Sequence, residues 1–345
     1  LRAFVESDWF QRLPVKPISL YRAESYLANP HALPDDPLIY YWDEEDKIVS
    51  FRSVFPAAFN HEEERFAWLS GAWTQLDFRK RGLSLRLLDE IYKDWDGRLA
   101  ATNFSPNSRR LYERSTLLKP FCKVSGRRFY LFVNSRKLLE GRMGNLVFLW
   151  PVIDNIARLW ARNKLRKHRL EKHPNIRWEK HAFPDRECME MVNQQQSDYL
   201  FKRGEVELKW ILSYPWLSTD DRTFKQSYPF SSYAKQFEVY TVKFYREEKF
   251  LGLLIYSLRD GHLKLLDQHF TVDCKEAVAH FFINESVAKR VEMLTILHTE
   301  LAERIAGENN PFLFSKEFQH HIYSSIKRLP QNSKIQAGEG DFMWT

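Results

Sequence analysis

The sequence predicts a two-domain α/β protein of the α+β type, each domain a mixed, mostly antiparallel central sheet flanked by helices. Three observations carry this. The chain has 345 residues, enough for about two domains of ordinary size. Its first third reads as a meander of three β-type runs followed by helix, strand, helix and strand, and the same order recurs after residue 186. Hydrophobic residues make up 44 % and charged residues 28 %, with 26 Phe, 15 Tyr and 11 Trp. That is too much burial material for a disordered chain and too much charge for a membrane-embedded one. The longest apolar stretch, Leu146 to Ile153, falls far short of the ~20 residues a spanning helix needs and contains Pro151.

Taken in order, Leu1 to Val5 reads as a short extended run and Ile18 to Leu27 as a helical region. Three strands follow at Leu38 to Trp42, Lys47 to Phe55 and Phe66 to Leu76, the first two joined by the acidic turn Asp43-Glu44-Glu45-Asp46. A basic turn, Asp77 to Gly82, leads into Leu83 to Ile91 with apolar residues at helical spacing. A strand at Arg98 to Thr102, a helix at Asn107 to Ser115 and a strand at Arg128 to Val133 close the first domain, 1–134. Residues 135–185 form a basic linker with a helix whose apolar face is Val152, Ile156, Leu159 and Trp160. The second domain, 186–345, opens with a helical region before Trp210. Strands are expected at Phe237 to Tyr245, Phe250 to Leu258 and Leu263 to Phe270, then a helix at Lys275 to Arg290 and a strand at Met293 to Leu297. A helix at Thr299 to Ala306 and a final hairpin at Phe312 to Ile326 follow. Lys47-Ile48-Val49 and Lys249-Phe250-Leu251 hold the same place in the two meanders.

The net charge is +7, and it is local. Nine basic residues stand between Arg158 and His181 against Glu171 and Glu179, so the remainder is near neutral. A solvated helix face, a surface for an acidic partner such as nucleic acid, and interfacial membrane contact through Trp160 are the three readings of that run. Cys122, Cys188 and Cys274 are far apart, odd in number and without CxxC spacing, so buried, reduced thiols are expected and a metal is not. His320-His321 lacks a carboxylate or Cys at ligand spacing and reads as an ordinary strand pair. Leu1-Arg2-Ala3-Phe4-Val5 lacks the pattern of an export signal, and a cytoplasmic protein is the expectation.

Glycine is scarce, 12 residues in 345 against an average of roughly 7 %. A glycine beside Arg79, Lys80 and Arg81 at a strand-to-helix junction is therefore informative. The first amides of a helix lack intrahelical acceptors and sit at the positive end of its dipole, and glycine admits close approach of an anion. The turn reads as a phosphate cradle, with a solvated basic turn as the alternative.

Thr74 to Ser84 resembles the acetyl-CoA signature of the GNAT acetyltransferase superfamily, Q/R-x-x-G-x-G/A. Arg79 fills the first position and Gly82 the second, while Ser84 replaces the final small residue. Ser105-Pro106-Asn107-Ser108-Arg109-Arg110-Leu111-Tyr112-Glu113-Arg114 is similar to the helix that follows in that family. Ser105 stands where Asn is usual, and Thr116-Leu117 where Gly-Phe is usual. The resemblance implies a tandem GNAT protein that transfers an acetyl or other acyl group from CoA to a small-molecule or peptide amine by direct attack. It implies a splayed central strand pair, with Trp73 and Thr74 receiving pantetheine and the Thr74 amide polarising the thioester. The backbone of Arg79, Lys80, Arg81, Gly82, Leu83 and Ser84 would hold the pyrophosphate. Asn107 would assist the cofactor, and Tyr112 would protonate the departing thiolate. As a general base, His61 and Glu62 to Glu64 are the nearest groups, and none is assigned.

In the second domain Leu266 to Asp273 runs into its helix without a basic glycine turn, so CoA is not expected there. Two other functions remain open on the sequence: a non-catalytic CoA-binding or sensing module, and a tRNA-dependent aminoacyl transferase docked through the basic linker. Trp210, Tyr214 and Trp216 read as core or an inter-domain wall, with the lining of a substrate pocket as the alternative. The tail ends in the apolar run Phe342-Met343-Trp344, which is expected to dock in the cleft between the halves as the terminus does in the tandem-domain N-myristoyltransferases that share this fold.

Overall fold

The structure, a computed structural model, describes residues 1–60, 64–132, 150–167, 173–220, 227–307, 310–326 and 333–344. In chain order it forms α1 (Arg2–Glu6), α2 (Asp8–Arg12), α3 (Leu20–Leu27), β1 (Ile39–Glu44), β2 (Lys47–Ala58), β3 (Arg65–Thr74) and α4 (Leu83–Asp94). Then come β4 (Leu99–Ala101), α5 (Pro106–Ser115), β5 (Lys119–Tyr130), α6 (Trp150–Lys167), β6 (Arg177–His181), α7 (Arg186–Gln196) and α8 (Glu205–Ser213). The rest comprises β7 (Phe237–Arg246), β8 (Lys249–Arg259), β9 (His262–Phe270), α9 (Lys275–Ala288), β10 (Met293–Ile296), α10 (Thr299–Ile305) and β11 (Phe314–Ser324). Short 3₁₀ turns lie at Leu76–Phe78, Val272–Cys274 and Gly340–Met343.

Two compact units arise, and they interleave along the chain. Unit 1 comprises Leu1–Lys123, Met189–Phe237 and His320–Thr345, and unit 2 comprises Val124–Cys188 and Glu238–Gln319. In unit 1, β1, β2 and β3 form an antiparallel meander and β4 lies parallel to β3. The end of β11 is antiparallel to β4, with Tyr323 opposite Ala101. Unit 2 repeats the scheme: β8 and β9 are antiparallel, β10 is parallel to β9, and β5 is antiparallel to β10. The last strand of each sequence half therefore pairs with the parallel strand of the other half. Hairpin chemistry sets both meanders, with Glu45 and Asp46 left-handed in one turn and Asp260 and Gly261 in another.

Both meanders carry one irregularity on the third strand. Arg52 and Val54 of β2 face Ala72 and Leu69 of β3, so Ser53 alone is opposite Ser70 and Gly71. On β9, Leu266 is the extra residue between Leu265 and Asp267. Such bulges re-aim a strand and end its pairing on one side.

The structure differs from the sequence expectations in three places. Residues 2–6 are helical rather than extended, because Phe4 turns in to pack on Trp9, Phe10 and Tyr41. The linker contributes a strand, β6, to the edge of the unit 2 sheet beside β7, and its alternating charges suit an edge. The linker helix expected from Val152, Ile156, Leu159 and Trp160 forms as α6, with Ile156, Leu159 and Trp160 exposed. The final hairpin is one strand, β11.

The tail docks within unit 1, with Phe342, Met343 and Trp344 each at most 4 % exposed. Trp344 stacks on Trp216 at 4.4 Å and meets Trp210 and Phe55 edge-on. Upstream, Glu339 pairs with Arg203 at 2.9 Å, both buried. Gly340 has φ +60°, and a Cβ there would strike Thr102, so this turn requires glycine. Thr345 lies outside the described residues.

Candidate functional site

β3 is longer than its parallel neighbour. Pairing with β4 ends at Leu69 opposite Ala101, whereas β3 continues to Thr74 with β2 as its strand partner. The residues after the bulge thus present an edge that β4 does not cover. Gln75 N–H bonds Val49 C=O across β2 at 2.9 Å, so alternation directs the Thr74 N–H toward the uncovered edge. The Trp73 carbonyl accepts from Ser50 Oγ at 3.2 Å, and the Thr74 hydroxyl shares a 2.8 Å hydrogen bond with Ser50. Both residues are half-buried.

The chain then turns through Leu76–Phe78 into α4. Lys80 is left-handed at φ +66° and Gly82 at φ +79°. Leu85 and Arg86 donate to Gly82 C=O, the first bonds of the helix. The amides of Lys80, Arg81, Gly82, Leu83 and Ser84 meet no acceptor among the described residues. A Cβ on Gly82 would find nothing within 4 Å, so glycine supplies the left-handed turn here rather than clearance. Leu83 is buried and anchors the first turn, which leaves its backbone at the surface, while Arg79, Lys80, Arg81 and Gly82 are exposed. Arg79 Nε reaches back to Thr74 C=O at 3.2 Å, and the Arg81 guanidinium lies 4.4 Å from the Phe78 ring. A 12-residue helix thus opens with free amides beside three cations.

α5 begins with a capped first turn. Ser105 Oγ accepts from Ser108 N–H at 3.2 Å, and Pro106 stands where no amide is needed. Asn107 is exposed on that turn, whereas Tyr112 faces inward at 2 % exposure. Its ring lies edge-on to Phe104 at 5.4 Å, and its hydroxyl accepts from Arg52 Nη1 at 2.9 Å. Ser50 and Arg52 are two apart on β2 and share a face, so Arg52, its partner Ala72 and Thr74 look the same way as Tyr112. The Leu76–Phe78 turn joins Trp73 and Thr74 to residues 79–84, and Tyr112 bonds to Arg52 on the strand face that carries Thr74. Asn107 makes no hydrogen bond to the turn among the described residues. His61, Glu62 and Glu63 lie outside the described residues, and Glu64 is exposed beside Arg98.

Arg52 was not legible as a site residue, since it sits in the apolar run Ile48 to Phe55. Its one signal was a single charge in the interior of a strand whose other charge, Lys47, stands at its start. Arg22 is similar: buried, it donates to Ser70 Oγ at 3.2 Å and stacks on Trp216 at 3.9 Å.

The corresponding junction of unit 2 differs in charge. β9 passes through Val272–Cys274 into α9 with Asp273 and Glu276 at the start, and acidic groups there disfavour a phosphate. Within the basic run, Arg177 bonds Glu179, Lys180 bonds Glu285, and Lys164 bonds Phe312 C=O. Among the described residues no group of His, Cys, Asp and Glu could hold a metal, and no helix is long and apolar enough to cross a membrane.

The two halves share one element order: meander, helix, parallel strand, helix, antiparallel strand. No protein-family model matches the sequence, and no curated protein matches it. Among solved structures, a GCN5-related N-acetyltransferase from Anabaena variabilis ATCC 29413 aligns at 12 % identity over 83 % of this chain and 62 % of its own, with a TM-score of 0.46. A tandem GNAT protein from the clavulanic acid biosynthesis pathway aligns at 9 % identity over 89 % and 88 %, with a TM-score of 0.48. A GCN5-related N-acetyltransferase from Kribbella flavida aligns at 10 % identity over 83 % and 60 %, with a TM-score of 0.44. The chain thus spans 62 % and 60 % of the first and third of these. These are likenesses of fold.

Proposed function

We propose that the protein is an acyltransferase that moves an acetyl or other acyl group from CoA to an amine, with the donor bound in unit 1. The observation that carries this reading is the junction of β3 and α4: free amides at Lys80 to Ser84, three flanking cations, and an uncovered strand edge running up to them. A diphosphate would be held by the amides and by Arg79, Lys80 and Arg81. Pantetheine would follow β3 past Trp73, with the Thr74 N–H donating to the thioester carbonyl. Asn107, on the exposed first turn of α5, would border the cofactor.

The acceptor is a small-molecule or peptide amine. Its nitrogen attacks the carbonyl carbon, the new C–N bond forms, and the C–S bond breaks with its electron pair passing to sulfur. Tyr112 gives sulfur its proton, and the proton released by the product nitrogen restores the phenol through water.

Titration of CoA against wild type, Gly82→Asp and Gly82→Asn tests the donor site. Asp and Asn tolerate a left-handed φ comparably, and both find open space at this position. A carboxylate in the cradle is expected to weaken CoA at least roughly tenfold, about 1.4 kcal/mol, relative to the neutral Asn variant. Equal affinity in the two variants would remove the site. CoA binding without thiol release across an amine panel would favour a sensor over an enzyme.

A further inference from the structure

Within β2, Arg52 is the one charged side chain that is buried, at 1 % exposure. Its Nη1 donates to Tyr112 Oη at 2.9 Å, while Nε and Nη2, both buried, meet no acceptor among the described residues. No carboxylate among the described residues pairs with it. A guanidinium stays protonated, and enclosing one without a counter-charge is costly. A neutral phenol oxygen offsets little of that.

The hydrogen-bond arithmetic at Tyr112 points the same way. Arg52 has only donors, so the phenol oxygen is the acceptor in this contact and the phenolic hydrogen is not spent on it. Among the described residues that hydrogen has no other acceptor. The pair therefore combines two unspent guanidinium donors with one unspent phenolic donor on two buried side chains. Ala72 stands opposite Arg52 on β3. Thr74, two residues on, is where the uncovered edge ends. A donor-rich, acceptor-poor cluster of this kind suits an atom that is, or is becoming, an anion.

Resting on the acyltransferase reading, we infer that Arg52 and Tyr112 form one subsite for the sulfur of the acyl-CoA thioester. Arg52 is the positioning residue: it fixes Tyr112 Oη so that the phenolic hydrogen faces the sulfur. When the C–S bond breaks, its electron pair goes to sulfur and the Tyr112 proton follows. The phenolate left behind stays beside the guanidinium until the proton shed by the product nitrogen returns to it.

The test compares the affinity of the full-length protein for CoA and for desulfo-CoA, which ends in a hydrocarbon where CoA has its thiol. Both are measured by calorimetry at about pH 8.5, near the ordinary pKa of a cysteine thiol, where the less acidic alkyl thiol of CoA is in part thiolate. Wild type is expected to bind CoA about tenfold more tightly, and Arg52→Met to bind the two equally while keeping its affinity for desulfo-CoA. Arg52→Lys, which keeps the charge, is expected to recover part of the preference. A purely structural Arg52 would weaken both ligands alike and leave their ratio unchanged, which would overturn the inference. Should Arg52→Met fail to fold, wild type alone decides, since equal affinity for the two ligands overturns the sulfur subsite while leaving the donor site standing. Binding of neither ligand would overturn the acyltransferase reading and the subsite with it.

Discussion

Glu207 shows how single buried groups hold unit 1 together. One carboxylate oxygen accepts from the Gly204 N–H at 2.9 Å, closing the first turn of α8, and the other lies 2.9 Å from His31 Nε2. Burial pushes this carboxyl up, but His31 and the helix amide outweigh that and hold it below its ordinary 4.5. A carboxyl whose folded value is depressed stabilises the fold in full above its unfolded value and loses that contribution as pH falls through the folded one. Glu207→Gln is therefore expected to cost about 2 kcal/mol at neutral pH. The gap to wild type should close as the pH drops below 4.5. Urea titrations of both proteins at several acid pH values measure it, and a constant gap would show that the charge is not involved. The thiols behave differently, since burial pushes Cys188 and Cys274 up to about 12 and leaves them protonated at neutral pH. The expectation of buried thiols holds for these two, whereas Cys122 is half-buried. Glu207 carried no signal, because its partner His31 is far away in sequence.

At the scale of elements, α5 illustrates both what sequence can tell and where it stops. Ser105-Pro106 announces a helix start, and the cap forms as those residues dictate. The other end is less favourable. Thr116 caps α5 at φ +58°, a left-handed conformation that a β-branched residue adopts only under strain. Thr116→Asn is thus expected to raise stability by about 1 kcal/mol, seen as a higher urea midpoint with an unchanged slope. No gain would mean that a contact of the threonine side chain offsets the strain. The glycine turn and the meanders were legible for the same reason as the cap: local φ, period and turn chemistry determine them. The helix at Arg2–Glu6 and the strand at Arg177–His181 were not. Phe4 is recruited by Tyr41, a residue distant in sequence, and β6 is an edge strand whose charges mask its period.

For the whole molecule, the decisive feature is the exchange of final strands between the sequence halves, and nothing local could reveal it. Divided by repeated elements, the chain falls at residues 134 and 186. Divided by contact, unit 1 draws on three separate segments. β4 gains its antiparallel neighbour only from β11, through Tyr323 and Ser324, and the aromatic cluster around Phe55 is completed by Trp210, Trp216 and Trp344. A fragment of residues 1–134 would leave one edge of β4 unpaired and expose Phe55, Tyr26 and Trp68, each of which is buried in the full chain. Such a fragment is expected to lack a cooperative unfolding transition and near-ultraviolet circular dichroism, and to bind a hydrophobic dye. Co-expression with residues 135–345 should restore the transition and the near-ultraviolet signal and abolish dye binding, because the missing strand and the missing indoles both lie in that piece. A lone fragment that unfolds cooperatively would show that the meander, α4 and α5 make a sufficient core. The exchange of strands would then be an addition to a self-standing domain and not a condition for it.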